Sequence, residues 1–132
     1  MIPKELKYTK DHEWIRVLDG GIAEMGITDF AQEQLGDIVF VEVPAIGTAL
    51  EQGKTFGVVE SVKTVSDMFA PVSGEVVEAN GVLCEDGDDF TPEIINQDAF
   101  GAGWIVRIKM SNPDELNNLL DADAYKAVTE EA

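Results

Sequence analysis

Lys63 is the residue of this sequence best placed to do chemistry. It stands in Val58-Val59-Glu60-Ser61-Val62-Lys63-Thr64-Val65-Ser66-Asp67, where two β-branched runs meet at a turn with a lysine at its apex. A lysine there extends its amine into water and suits acylation by a carboxylate cofactor. The amide removes the charge and lengthens the side chain into a flexible arm. Neither Asn-Gly nor Asp-Gly is present to ease the reversal, so something besides turn chemistry is needed to explain the string. The same pattern also fits an ordinary solvated turn lysine, and local physics leaves that reading open. A Schiff-base lysine fits poorly. It needs a desolvated or cation-flanked amine, whereas Glu60 and Asp67 make this tip acidic.

Other reactive constellations are scarce. His12 is the only histidine, which excludes the usual multi-histidine metal sites. No nucleophile elbow, P-loop or dinucleotide fingerprint occurs. Glu85-Asp86-Gly87-Asp88-Asp89 lacks the spaced ligands and closing glutamate of an EF-hand, and reads as a solvated loop. Cys84 is the only cysteine, so no intramolecular disulfide or cysteine zinc cluster can form, and it reads as a bystander.

The charge balance narrows the partners. Twenty-six acids against 9 bases give a formal net charge of -17. Such a surface repels phosphate backbones and anionic headgroups, which argues against nucleic acid and membranes and for protein partners with basic docking patches. The start, Met1-Ile2-Pro3-Lys4-Glu5-Leu6-Lys7, has neither a signal core nor transit-peptide character. No apolar run is long enough to cross a bilayer. A cytoplasmic protein of bacterial type is expected, or a mitochondrial matrix protein if the chain is a processed eukaryotic one.

The elements that would position Lys63 are mostly strands. Trp14–Leu18 and Ile22–Ile27 form a hairpin through Asp19-Gly20-Gly21. Thr28-Asp29 caps a short helix through Phe30–Leu35 that Gly36 ends. Ile38–Val43 is a strand stopped by Pro44, Leu50–Lys54 a turn, Phe56–Val62 a strand, and Val65 onward leads away from the lysine turn. Gly74–Glu78 and Trp104–Met110 are further strands. Gly36-Asp37-Ile38-Val39 echoes Gly74-Glu75-Val76-Val77, which suggests two similar half-units about the lysine turn. Ser111-Asn112-Pro113-Asp114-Glu115-Leu116 starts a terminal helical region containing Leu119, Leu120, Tyr125 and Val128. The 132 residues form one mostly β domain, 1–132, with short helices, as a sandwich or barrel.

Nearly the whole chain resembles glycine cleavage system H proteins. The matching strings are Tyr8-Thr9-Lys10-Asp11-His12-Glu13-Trp14, Gly26-Ile27-Thr28-Asp29, Gly36-Asp37-Ile38-Val39-Phe40-Val41, Glu60-Ser61-Val62-Lys63, Ser66-Asp67, Ala70-Pro71-Val72-Ser73-Gly74-Glu75-Val76 and Gly103-Trp104. Lipoyl domains of 2-oxo acid dehydrogenases look more like Asp-Lys-Ala at the lysine, and biotin carriers more like Met-Lys-Met. The resemblance implies a lipoyl/biotinyl-type barrel-sandwich hybrid with lipoate on Lys63, read by a lipoate-attaching enzyme in the context of Glu60, Ser61 and Val62.

The resemblance also implies a role as a non-catalytic carrier in glycine catabolism and one-carbon metabolism, and a monomer is expected.
 Its swinging arm would take the aminomethyl group of glycine from the P protein (glycine decarboxylase) to the T protein (aminomethyltransferase). It would pass electrons to the L protein (dihydrolipoyl dehydrogenase). Glu13, Asp67 and Asp11 would line the cleft that shelters the loaded arm, Asp11 standing where a small hydroxyl residue is common. Phe30 stands where the family commonly has histidine, and the stretch Cys84 to Thr91 looks longer than usual. Two alternatives stay open: an H-like protein relaying lipoate to 2-oxo acid dehydrogenases, and a lipoyl-fold module never modified.

Overall fold

The computed structural model describes residues 2–84 and 89–131, so most of the acidic string after Cys84 lies outside the described residues. Among the described residues nine strands form two antiparallel sheets. The six-stranded sheet runs β1 (Lys7–Tyr8), β2 (Glu13–Leu18), β3 (Ile22–Ile27), β9 (Val106–Met110), β8 (Gly74–Ala79), β5 (Ala49–Leu50). The three-stranded sheet runs β4 (Ile38–Val41), β6 (Thr55–Ser61), β7 (Val65–Phe69). Inward residues of both sheets, among them Ile15, Met25, Ile38, Val59, Met68, Val76 and Ile108, share one apolar core.

The β2–β3 hairpin turns where expected, with Gly20 and Gly21 at φ 78° and 77°. Thr28 caps α1 (Asp29–Leu35) by accepting from Ala31 N, and Gly36 ends the helix at φ 85°. β4 stops at Val41, two residues short of the expected end, because Glu42 N is the last to bond across to β6, at Val58 O. The two echoing strings are not equivalent. Ile38–Val41 edges the small sheet, whereas Gly74–Ala79 is paired on both sides. A Gly-acid-apolar-apolar string carries no information about its partner strand.

The terminal helix does not begin at Ser111. Asn112 caps a 3₁₀ segment, Pro113–Asn118, and α3 starts only at Ala122 (Ala122–Glu131). Between them Leu120 and Tyr8 exchange backbone hydrogen bonds of 2.7 and 2.8 Å, which requires extended chain and breaks the helix. α3 then packs on β1, with Tyr125 stacked on Tyr8 at 4.6 Å and Trp14 and Leu6 buried beside them.

Beneath the large sheet Glu24 is only 6 % exposed, and it joins Arg16 at 2.8 Å to Arg107 at 2.8 Å. Each arginine also lies over a tryptophan face, Arg16 on Trp14 and Arg107 on Trp104.

Candidate functional site

Lys63 lies in the turn between β6 and β7, its side chain exposed. Turn chemistry is present after all. Ser61 Oγ accepts from Lys63 N at 3.3 Å and from Thr64 N at 3.1 Å, while Ser61 N donates to Thr64 O at 2.8 Å. A serine opening a reversal in this way replaces the glycine-based signal sought in the sequence. Val62 N donates to Asp37 O at 3.0 Å, fastening the tip to the segment after α1. The valines flanking the lysine are exposed, Val62 by 69 % and Val65 by 60 %, so the tip is apolar as well as cationic.

The stem of Lys63 leans back across Gly36. A Cβ at Gly36 would stand 3.5 Å from Lys63 Cε and 3.9 Å from Cδ. Asn96, from α2 (Ile94–Gln97), clamps the ground beneath: its amide donates to Gly36 O at 2.9 Å and accepts from Ile38 N at 2.9 Å.

A cleft of about 270 Å³ runs along α1 from Leu35, the chain neighbour of Gly36, lined by Leu35, Gln34, Ala31 and Phe30 on one wall and by Asp11, His12, Glu13, Val59 and Asp67 on others. All three expected cleft residues, Asp11, Glu13 and Asp67, therefore meet in one place. Asp11 and Glu13 also border a second cleft of about 320 Å³, toward Gln52 and Leu119.

Their environments differ. Asp11 and Asp67 are exposed, whereas Glu13 is 2 % exposed. That corrects any picture of Glu13 as a half-solvated carboxylate. Thr9 organises it: the Thr9 hydroxyl accepts from Asp11 N and Glu13 N, and donates to Glu13 Oε1 at 2.5 Å. Phe69 N donates to Glu13 Oε2 at 3.3 Å. Burial pushes the Glu13 carboxyl up to about 8, against the opposing pull of those two hydrogen bonds and with Asp11 adding a smaller push. Glu13 can thus change charge near neutral pH, and a cation brought beside it would favour the carboxylate.

Phe30 packs against His12, ring centroids 4.9 Å apart, so the cleft keeps an imidazole supplied by the β1–β2 connection. Cys84 is half-buried with its thiol 3.7 Å from Asn80 O, outside both clefts. The roles of Ser61, Thr9 and Gly36 escaped the sequence reading. The Ser-x-x-Thr spacing at the turn was the one local signal available for the first.

The group expected on Lys63 fits this ground: an exposed amine, a stem crossing a residue with no side chain, and a largely apolar groove leading away. A family model described as Glycine cleavage H-protein matches residues 6–132. A glycine cleavage system H protein of Symbiobacterium thermophilum is 58% identical over 130 residues, covering 98% of this chain and 97% of that one. One from Bacteroides fragilis is 56% identical over 126 residues, covering 96% and 95%. A crystal structure of a glycine cleavage system H protein from Mycobacterium marinum matches with a TM-score of 0.83 at 40% identity, covering 96% of this chain and 97% of that one.

Proposed function

This chain belongs to the glycine cleavage H-protein family, and from that membership we propose that it shuttles the aminomethyl group of glycine on a lipoyl arm amide-linked to Lys63. Residues 1–132 act as one lipoyl-binding unit that catalyses no bond change itself. When bound, lipoate supplies a disulfide that takes up the one-carbon unit with two electrons and later releases both. The P, T and L proteins act on it in turn, and a lipoate-attaching enzyme loads it. The named relatives are bacterial, which supports a place in the cytoplasm.

What this chain's residues contribute is presentation and shelter. Ser61 and the Asp37 tether hold the turn so that Lys63 meets each partner in one geometry, with Val62 and Val65 bare beside it for docking. Tethering replaces free diffusion with a high effective concentration at each partner. Gly36 leaves a track toward the cleft, and Glu13, with Asp11 and Asp67, offers negative charge to an ammonium group resting there. The observation that carries the reading is the stem of Lys63 lying over Gly36, next in the chain to Leu35 at the near end of the cleft that holds Glu13.

Mass mapping of the Lys63 peptide after expression with lipoate tests the attachment. Glycine-dependent turnover on reconstitution with P, T and L proteins tests the role. Lipoyl on another lysine, or a lipoylated chain inert to glycine, would overturn it.

A further inference from the structure

His12 carries a cost that the attachment of an arm does not explain. Among the described residues it is the one non-glycine with a left-handed backbone, at φ 71°. Its ring is held from one side, with Nδ1 2.8 Å from Tyr125 Oη, which is in turn 2.7 Å from Thr28 Oγ1. Thr28 and Tyr125 are fully buried.

Counting hydrogens along this row favours one direction. Thr28 Oγ1 already accepts from Ala31 N, and the acceptor within its reach is Tyr125 Oη. Each hydroxyl hydrogen of the row finds an acceptor when Thr28 donates to Tyr125 and Tyr125 donates to Nδ1 of His12, the arrangement we take for the proposal. An accepting Nδ1 belongs to a neutral ring with its hydrogen on Nε2, and burial lowers the imidazole pKa in the same sense, outweighing Asp11. Nε2 has no partner among the described residues, yet it is not a buried unpaired atom. The ring lines the α1 cleft, against Phe30.

The cleft has a direction. From Gly36, under Lys63, to Phe30 is six helical steps, about 9 Å. An arm entering over Gly36 with a reach matching that length would bring its sulfur-bearing head to the end formed by Phe30, His12 and Glu13. We propose that His12 is a positioning residue for that head, with Nε2–H donating a hydrogen bond to one of its sulfur atoms and the Thr28–Tyr125 row fixing the ring. The proposal rests on the reading of Lys63 as the attachment site.

Because His12 is the only histidine, ¹⁵N imidazole spectra of the whole protein report on it alone. The lipoate-free protein should show a neutral ring protonated at Nε2, and protonation at Nδ1 instead would overturn the proposal. With lipoyl on Lys63 established by mass, loading the arm should shift both Nε2 and the Ala31 amide. An Ala31 shift without an Nε2 shift overturns the role of His12 but leaves the arm in the cleft. No shift at either removes the arm from the cleft, and this proposal with it.

Variants separate positioning from folding. His12→Asn tolerates the left-handed backbone and keeps a polar atom near Nδ1 for Tyr125, but lacks Nε2. Its unfolding midpoint should stay near the parent's while the lifetime of the aminomethylated protein shortens about fivefold, the worth of one ordinary hydrogen bond. His12→Gln, which reaches the Nε2 position, should recover part of that lifetime. An unchanged lifetime in His12→Asn refutes the proposal.

Discussion

Lys63 crosses Gly36 at a distance that a Cβ would turn into contact, 3.5 Å from Cε. The lysine is exposed, but its stem is aimed. Its first carbons beyond the turn are laid toward α1 and not away from the protein. That aim separates a carrier whose arm has a resting place from one whose arm merely swings.

Lys63→Arg should leave the fold intact and abolish lipoylation, because a guanidinium keeps the charge but cannot form the lipoyl amide. Intact mass and the thermal midpoint check it together. A residual lipoyl adduct would move the attachment to another lysine.

Ser61→Ala removes the acceptor of two backbone amides in the turn while leaving the backbone bond from Ser61 N to Thr64 O. Stability should fall by about 1 kcal/mol. The rate of lipoylation should fall several-fold, because the attaching enzyme would meet a looser tip. Equal rates for parent and variant would show that the enzyme reads the strands and not the turn. Moving the lysine one place, as Val62→Lys with Lys63→Val, should reduce lipoylation more sharply, since one step at a strand end reverses the face that projects the amine.

Glu13→Gln tests the buried carboxyl through pH. The folded value, about 8, lies above the reference value of 4.5. The neutral form is the one that folding favours, so the contribution is full below about pH 4.5 and is lost as pH rises to about 8. Parent minus variant stability should therefore fall with pH across that window, by at most about 1.4 kcal/mol per unit. Denaturant midpoints at several pH values measure it, and a flat difference would place the carboxyl in water. The same variant should leave lipoylation unchanged and shorten the lifetime of the aminomethylated protein at pH 8, where the parent's carboxylate is well populated.

Glu24→Ala leaves Arg16 and Arg107 with no carboxylate between them. Complete burial of a broken pair costs about 3–5 kcal/mol. Both arginine side chains are partly open to water, 32% and 28% exposed, so about 2 kcal/mol is expected by urea unfolding, with lipoylation unaffected.

Much of this was legible in the order of residue types. The β2–β3 hairpin and capped α1 followed from Gly20-Gly21 and from Thr28 with Gly36, because both are set by neighbours within a few positions. Lys63 stood out for the same reason. The terminal helix was misread because Leu120 is claimed by Tyr8, a partner over a hundred residues away that no local pattern announces. The burial of Glu13 was hidden likewise, since it depends on the crossing of Phe69 from another sheet. The resemblance brought Asp11, Glu13 and Asp67 to one site, but their unequal exposure came only with the packing.

The tie from Tyr125 to His12 spans 113 positions of the chain. The hydrogen bonds of the lysine turn itself, by contrast, run only from Asp37 to Thr64, on ground that Asn96 clamps at Gly36 and Ile38. The two halves of the apparatus therefore draw on different parts of the chain. A chain clipped before α3 would keep the residues that make the hydrogen bonds of the lysine turn and would lose Tyr125, the residue that holds His12 at the far wall of the cleft. On the proposed reading, loss of the last helix should spare attachment at Lys63 and shorten the keeping of the cargo.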